Sequence, residues 1–509
     1  MSVGRRSIVL AALAVTAGAA TSTAVPAPPG FRYGVAAGEM TSTSVRLWTR
    51  APTAGDLLLT VVPEDNSEAR ARTFVVRATA ANDLTVQRTV TGLRPGTEYR
   101  YRFSQGELAS PIGHVRTARA ADDSTTVRFA ITGDADATPR ANGRPGFNGY
   151  ETYGAMARAR NDFDVNFGDT IYSDSEVAGA PVARTVRQKW AKYRLGLALA
   201  PLRRLKASAG VFSGWDDHEF VNDYARPEHG AAIHRAGVKA FLDYTPASYS
   251  RRTGDYRTFR WGRNLQLFIL DGRSFRSAKA TAACAGDIAP TAPPAVRQAF
   301  ATLSPALAKP VPQSCLDAIA SPERTLLGTA QLAAFTKAIR SSTATFKVVV
   351  NPEPLLQLYA LPYDRWEGYA AERARVLDVL RDVKNVVVLT TDTHAHLIGE
   401  IRTDTFAAGG AVGTGVWEVV TGPVATNTYA QEIDSFLGGS GFGAVLTGAF
   451  FKPSPPRGLG LRCAQTDEYG YAQVTVTSTA LTAQPRTAAG RVVVDASGAS
   501  CAPLVVRAT

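Results

Sequence analysis

From residue 126 onward the chain repeats one pattern: a short apolar, β-rich run, a polar cluster, then a longer stretch with helical spacing. The runs are VRFAI (127–131), FDVNF (163–167), AGVF (209–212), LQLFIL (265–270), FKVVV (346–350) and NVVVL (385–389). Each is β-rich and too short for a helix of that hydrophobicity, which is how strands covered on both faces read. Helical patterns over 182–206, 328–341 and 369–382 fall between them. Alternation of this kind predicts an α/β fold.

The polar clusters carry the chemistry. They read TGDAD (132–136), GDTIY (168–172), WDDHE (215–219), LDGRSFR (270–276), NPE (351–353) and TTDTHAH (390–396). Ligands in α/β sheets bind outside the carboxyl ends of strands, so groups from six separate runs should converge there. Taken singly, each is ordinary: a Gly-Asp after a strand is a turn, and a lone histidine is a hydrogen-bonded core residue. Together they would bring Asp134, Asp136, Asp169, Asp217 and Asp392 within a few ångströms of one another. Two like charges about 4 Å apart repel by about 4 kcal/mol at an effective dielectric of 20. Five such groups exceed the roughly 5–15 kcal/mol that holds a fold together. Cations relieve this better than protons here, because His394, Asn351 and Tyr172 also carry ligand atoms. An oxygen-rich set with one or two imidazoles suits hard or borderline metals. Arg273 and Arg276 either serve an anionic ligand or pair with the acids.

The rest of the chain reads as support. Residues 30–118 form an all-β module, with strand patterns SVRLWTRA (44–51), DLLLTVV (56–62), RTFVVRA (72–78) and TEYRYRF (97–103). The stretch TGLRPGTEYRYRF resembles the late strands of a fibronectin type III sandwich, with Tyr99 or Tyr101 at the tyrosine corner. Residues 118–125 read as a linker, 126–480 as the α/β domain and 481–509 as a C-terminal tail. One further strand is expected at 471–477. Residues 1–27 have a basic start, an apolar middle and small residues before the end, as an export signal does, and Arg5-Arg6 resembles a twin-arginine signal. No later stretch is long and apolar enough to span a bilayer.

Four cysteines follow the signal, namely Cys284, Cys315, Cys463 and Cys501, and none lies in a CxxC pair. An even count in an exported chain points to disulfides. Pairing by proximity gives Cys284–Cys315 and Cys463–Cys501, one of three connectivities. The net charge is +12, with 46 Arg and 10 Lys against 44 Asp and Glu, and the arginines are spread along the chain, which fits anionic substrates but marks no nucleic-acid partner. No GxSxG elbow, P-loop or Rossmann glycine pattern occurs, so neither a serine nucleophile nor a nucleotide cofactor has support.

The series GDAD, GDTIY, WDDHEFVND, LDGRSFR, DRWEGY and TTDTHAH resembles the PhoD-like alkaline phosphatases, a branch of the calcineurin-like metallophosphoesterases. WDDHE with a following Asn-Asp is the most specific element, and DRWEGYAAERARVL (364–377) supports it. The resemblance runs from about residue 30 to 480. It implies a two-sheet β-sandwich flanked by helices, with a metal centre at one edge. Carried over residue by residue, Asp134 takes the first ligand position and Asp136 stands where the superfamily has histidine. Asp169 is the bridging carboxylate, Asp217 falls on the Asn position, and Asn351 is the candidate for the middle histidine. Asp392 and His394 match the final pair, and Tyr172 the tyrosine ligand. Several family members carry Cys where Asp134 stands. Iron with calcium is implied by the resemblance, while Asp134 also suits manganese or zinc.

The function implied is a secreted phosphoesterase acting on phosphomonoesters, phosphodiesters or both, with two or more metal ions activating the attacking water. His218 would protonate the leaving alkoxide or stabilise the developing charge, and Arg273 would clamp a phosphoryl oxygen. The substrate would be a small-molecule ester, a phospholipid or a cell-wall polymer, and export would use twin-arginine machinery. A phospholipase D-type phosphodiesterase is the alternative within enzymes. A non-catalytic cell-wall-binding protein is the alternative outside them. The long excursion 277–325, attached to a strand end, is expected to set the preference between monoester and diester.

Overall fold

A computed structural model describes residues 30–64 and 71–509; the export signal expected over 1–27 lies outside the described residues. The N-terminal module consists of two antiparallel sheets. One orders Val35–Gly38, Ser44–Arg50 and Thr85–Thr91; the other is built on Gly55–Pro63 between Arg72–Ala78 and Glu98–Gln105. The tyrosine corner belongs to Tyr99, whose hydroxyl accepts the Arg94 N–H at 2.9 Å. Tyr101 points into the core, its hydroxyl without a partner among the described residues. Strand Ser44–Arg50 also braces the larger domain: Trp48 Nε1 donates to the Asp243 carbonyl at 2.8 Å, at the end of helix Arg226–Tyr244.

Two large sheets follow. The six-stranded sheet runs Gly210–Gly214, Phe163–Phe167, Val127–Thr132, Gly470–Val476, Ala480–Thr487, Leu504–Arg507. The seven-stranded sheet runs Arg257–Trp261, Leu265–Ile269, Phe346–Asn351, Val386–Thr390, Val412–Val420, His396–Asp404, Cys463–Gln465. Phe163–Phe167 pairs in parallel with both its neighbours, and so does Phe346–Asn351 in the other sheet. The apolar character of runs such as FKVVV and NVVVL has its cause here. Leu267, Ile269, Val348, Val350, Val387 and Leu389 face the other sheet, where they join Phe129, Ile131 and Val165 in one core. Their neighbours Phe268, Val349 and Val388 face outward and bury against helices Thr329–Ser341 and Ala370–Arg381. Both parities are apolar because both faces are covered.

The C-terminal part departs from the sequence reading. Residues 481–509 are not a tail: Ala480–Thr487 and Leu504–Arg507 extend the six-stranded sheet beyond Gly470–Val476. Pro485 lies inside the first of these strands, and an internal proline argues against a strand when only the sequence is read. Both disulfides form as proximity pairing predicts. Cys463–Cys501 links a strand of one large sheet to the segment that enters the last strand of the other. Among the described residues, no helix is long and apolar enough to cross a membrane.

Candidate active site

The parallel strands end in the same device. Asp134, Asp169 and Asp392 follow Val127–Thr132, Phe163–Phe167 and Val386–Thr390, and all three have left-handed backbone, with φ of 62°, 47° and 64°. His394 is left-handed too, at φ 53°. Non-glycine residues adopt this region at a cost, and such strain gathers at functional sites. The turns are tied to one another: Asp134 N–H donates to the Gly168 carbonyl at 3.2 Å, and Ala135 N–H to the Asp169 carbonyl at 2.9 Å. Asp392 N–H reaches Asp134 Oδ1 at 3.2 Å. Gly133 is required at this crossing, since a Cβ there would lie 2.1 Å from the Phe167 carbonyl oxygen.

Three groups of ligand atoms result, each within 4.8 Å: Asp134, Asp169 and His394; Asp169, Asp217 and His218; Asp217, Asp223 and Asp364. Asp169 belongs to the first two and Asp217 to the last two. Tyr172 joins them, its hydroxyl 3.0 Å from His394 Nε2 and its ring stacked on His218 at 4.0 Å. Asp392 lies beside them on a cleft of about 540 Å³, which also exposes His218, His394, Asp364, Arg365 and Glu432.

The electrostatics match the crowding. Burial, opposed by His394 and reinforced by Asp216, pushes Asp134 up to about 7. Burial and then Asp217 and Asp216 push Asp169 well above the carboxylate range. Burial works against charged imidazoles, yet Asp217 and Asp174 outweigh it and lift His218 to about 10. The same contest, with Glu432 as the chief acid, lifts His394 to about 9. Burial disfavours the ionised carboxylates, and the neighbouring acids favour protonated imidazoles. Asp134 Oδ2 is buried without a hydrogen bond among the described residues, and Gly422 leaves it room, since a Cβ there would stand 2.7 Å away. An orphaned carboxylate oxygen among further carboxylates and two imidazoles fits a hard or borderline cation.

Three expectations are corrected. Arg273 does not face the cleft; it is fully buried, 3.0 Å from Asp216 Oδ2 and 2.7 Å from Asp364 Oδ2, with Glu353 at 3.2 Å. All its donors serve carboxylates, so it neutralises the acid cluster from beneath and offers nothing to a phosphate. Asn351 is spent locally: its amide nitrogen donates to the Glu353 carbonyl and its oxygen accepts Trp366 Nε1 at 3.3 Å. Asp136 closes a turn on its own chain, accepting Thr138 N–H at 2.8 Å and the Ser175 hydroxyl, and it joins none of the three groups.

The stretch WDDHEFVND divides its work between two sides. Asp217, His218 and Asp223 face the cleft, while Asp216 pairs with Arg273 and Glu219 accepts the Asp216 N–H at 3.0 Å and the Thr170 N–H. Four participants escaped the sequence reading. Asp174 accepts from His218 Nδ1 at 2.7 Å, and Glu432 meets His394 Nδ1 at the same distance. Asp364 supplies the third group, and Arg365 is the one arginine lining the cleft among the described residues, mostly buried, with one guanidinium nitrogen on the Ala360 carbonyl and 3.8 Å from Glu367. The DRWEGY motif pointed to the last two; nothing in the sequence around Glu432 signalled it.

Two face-to-face sheets with an acid and histidine cluster at their strand ends define the metallophosphoesterase fold. Structural comparison supports this class: purple acid phosphatase from yellow lupin (Lupinus luteus) seeds aligns with a TM-score of 0.56 at 12% identity, over 94% of this chain and 75% of that one. The family model for PhoD-like phosphatase matches residues 141–484, and that for its N-terminal domain matches 17–119. The chain belongs to the PhoD-like phosphatase family. A solved structure of PhoD shares the fold at a TM-score of 0.71 and 22% identity, covering 94% of this chain and 89% of that one. Alkaline phosphatase D of Bacillus subtilis (strain 168) is 28% identical over 425 residues. The match takes in 74% of this chain and 66% of that protein, so the chain spans just under two thirds of this relative's length.

Proposed function

We propose that the protein is a metal-dependent phosphoric ester hydrolase that works outside the cytoplasm. The observation that carries this reading is Asp169, one carboxylate shared by two acid and histidine groups on a cleft wall. Asp134, Asp169, Tyr172 and His394 would hold one cation, and Asp169 and Asp217 a second, with Asp392 at its side. Asp217, Asp223 and Asp364 offer a third place. Bound cations supply Lewis-acid polarisation of a phosphoryl group and activation of water.

The chain's own groups do the rest. His218 holds a proton at its imidazole, with Nδ1 fixed on Asp174, and delivers it to the departing alkoxide. Arg365, on the cleft wall, takes the phosphate-binding part that the sequence assigned to Arg273. Arg273 and Arg276 bind Asp216 and Asp364 from below and align them. Both disulfides support an oxidising compartment, in keeping with the export signal read over 1–27.

The test is hydrolysis of p-nitrophenyl phosphate and bis(p-nitrophenyl) phosphate by protein of measured metal content. Turnover that rises and falls with bound metal supports the reading; metal-loaded, folded protein inert on both esters would favour the cell-wall-binding alternative. Thr281, Gly286 and Ile288 line the cleft, which supports the expectation that segment 277–325 sets the preference between the two substrates. Shortening 284–315 should change their rate ratio. The phospholipase D-type alternative is the same reaction on a diester with a lipid alcohol.

A further inference from the structure

A second cavity, of about 150 Å³, adjoins the polar cleft. The two share Ile288, Ala360, Tyr429, Ile433 and Phe436 as a common wall. Beyond that wall the lining is aliphatic and aromatic, with Val296, Phe300, Leu446 and Phe450. The one charged group on it among the described residues, Arg297, is consumed: its guanidinium pairs with both Asp287 oxygens at 2.8 Å and with the carbonyls of Ala289 and Lys309. We propose that this groove binds an apolar group of the substrate's second alcohol, a single alkyl or aryl segment about the size of a benzene ring, so that amphiphilic phosphodiesters are preferred. The inference rests on the phosphoesterase reading above and names its substrate class.

Three observations carry it. The first is continuity. Helix Tyr429–Phe436 presents Glu432 to His394 at 2.7 Å, while the next residue, Ile433, and Phe436 one turn on line the groove. A phosphoryl group held by the acid and histidine cluster therefore has an apolar path along one helix. The second is size: about 150 Å³ of space lined by Leu, Ile and Phe matches one benzene-sized apolar segment. The third is exposure at the rim, where Phe436 is 57% and Leu303 48% accessible. Large apolar side chains left open around a concave apolar surface mark a binding site. The walls are also preformed. Cys284–Cys315 staples the segment that carries Ile288 and Val296, Leu361 N–H holds the Ile288 carbonyl at 2.7 Å, and Phe300 meets Phe450 edge to face at 5.4 Å.

The test compares p-nitrophenyl methyl phosphate with p-nitrophenyl hexyl phosphate on the metal-loaded full chain, below the hexyl ester's micelle concentration. Binding of methylphosphonate and hexylphosphonate is measured alongside by titration calorimetry. Full burial would give on the order of fourfold per methylene; in an open groove the hexyl ester should gain about 10- to 100-fold in kcat/KM, and hexylphosphonate should bind tighter by a similar factor. Val296→Trp, which fills the groove, and Leu446→Gln, which makes it polar, should each erase the gain and leave the methyl ester's rate unchanged. Equal rates on the two esters would overturn the proposal and leave the phosphoesterase reading standing. A gain that survives both variants would also overturn it, as would a dimer dispersed by Val296→Trp, which would give the groove to a second copy. Inertness towards both esters, with no phosphonate bound, would remove the phosphoesterase reading and this inference with it.

Discussion

His218 and Asp174 meet at 2.7 Å, imidazole Nδ1 against carboxylate Oδ1, while the other Asp174 oxygen accepts the Asn222 N–H at 2.6 Å. Asp174 thus ties the His218 ring to the loop that follows it and fixes which ring nitrogen is left for the cleft. General acid catalysis typically contributes about 10²–10⁴-fold, and the partner that orients the acid supports part of it. Asp174→Asn should lower kcat about 10- to 100-fold with little change in KM, and should shift the basic limb of the pH–rate profile downward because the acid that sustains the imidazolium is gone. Steady-state kinetics across pH 6–10 check both.

Metal dependence should follow the shared ligands. Asp169→Asn and His394→Ala should each reduce bound metal and lower turnover by about 100-fold or more, while His229→Ala, whose ring bonds only the backbone of Ala225, should change neither. Prolonged chelation of the unaltered protein should abolish turnover and lower Tm together, since the acids then lose their counter-charge. Elemental analysis beside calorimetry is the measurement.

The two arginines should separate cleanly. Arg273 sits beneath the cluster among four or more carboxylates, so Arg273→Met should destabilise the fold by about 3–5 kcal/mol, the usual cost of stranding a buried charge. Arg365 donates to one carbonyl and lies 3.8 Å from a single acid, so Arg365→Gln should lower Tm less than Arg273→Met does and raise KM for a phosphomonoester about tenfold. Thermal melts and kinetics on both variants decide which guanidinium meets substrate.

Asp164 gives a pH signature away from the metal cluster. Burial lifts its carboxyl to about 7 against the bonds from Asn161 and Ala130 that favour ionisation. The folded chain thus takes up a proton that the unfolded chain releases near pH 4. Its contribution is fully present below about pH 4 and is lost as pH rises to 7. Asp164→Asn keeps the acceptor oxygen and removes the titration. It should stabilise the protein by about 1–3 kcal/mol at pH 8, by denaturant unfolding, and flatten this slope.

The disulfides should matter unequally. Both close loops of similar length, with separations of 31 and 38 residues, so chain entropy alone assigns each about 2–4 kcal/mol. Cys463–Cys501 joins the two sheets of the core, whereas Cys284–Cys315 holds an excursion with a small cluster of its own. Replacing the first pair with alanine should lower global Tm. Replacing the second should act mainly on the local excursion, seen as faster proteolysis within 284–315. Denatured, unreduced protein should present no free thiols.

The sequence by itself determined the strands and what stands at their ends. Runs such as FKVVV and NVVVL are apolar at both parities because both faces are buried, and that constraint is written residue by residue. Asp134, Asp169, Asp217, His218, Asp392 and His394 were legible for the same reason: each follows a strand whose end faces the cleft. Direction was not legible. Arg273 and Arg365 are both arginines after motif acids, and only packing sends one under the cluster and the other to its wall. Asn351 and Asp136 carry ligand atoms in suitable places, but short-range hydrogen bonds claim those atoms first. Glu432 and the apolar groove come from a helix about 40 residues past the last strand-end motif, whose position is fixed by contacts distant in sequence. Local pattern records which faces must be buried; which side chains then meet across those faces is decided by how the sheets, helices and stapled excursion close on one another.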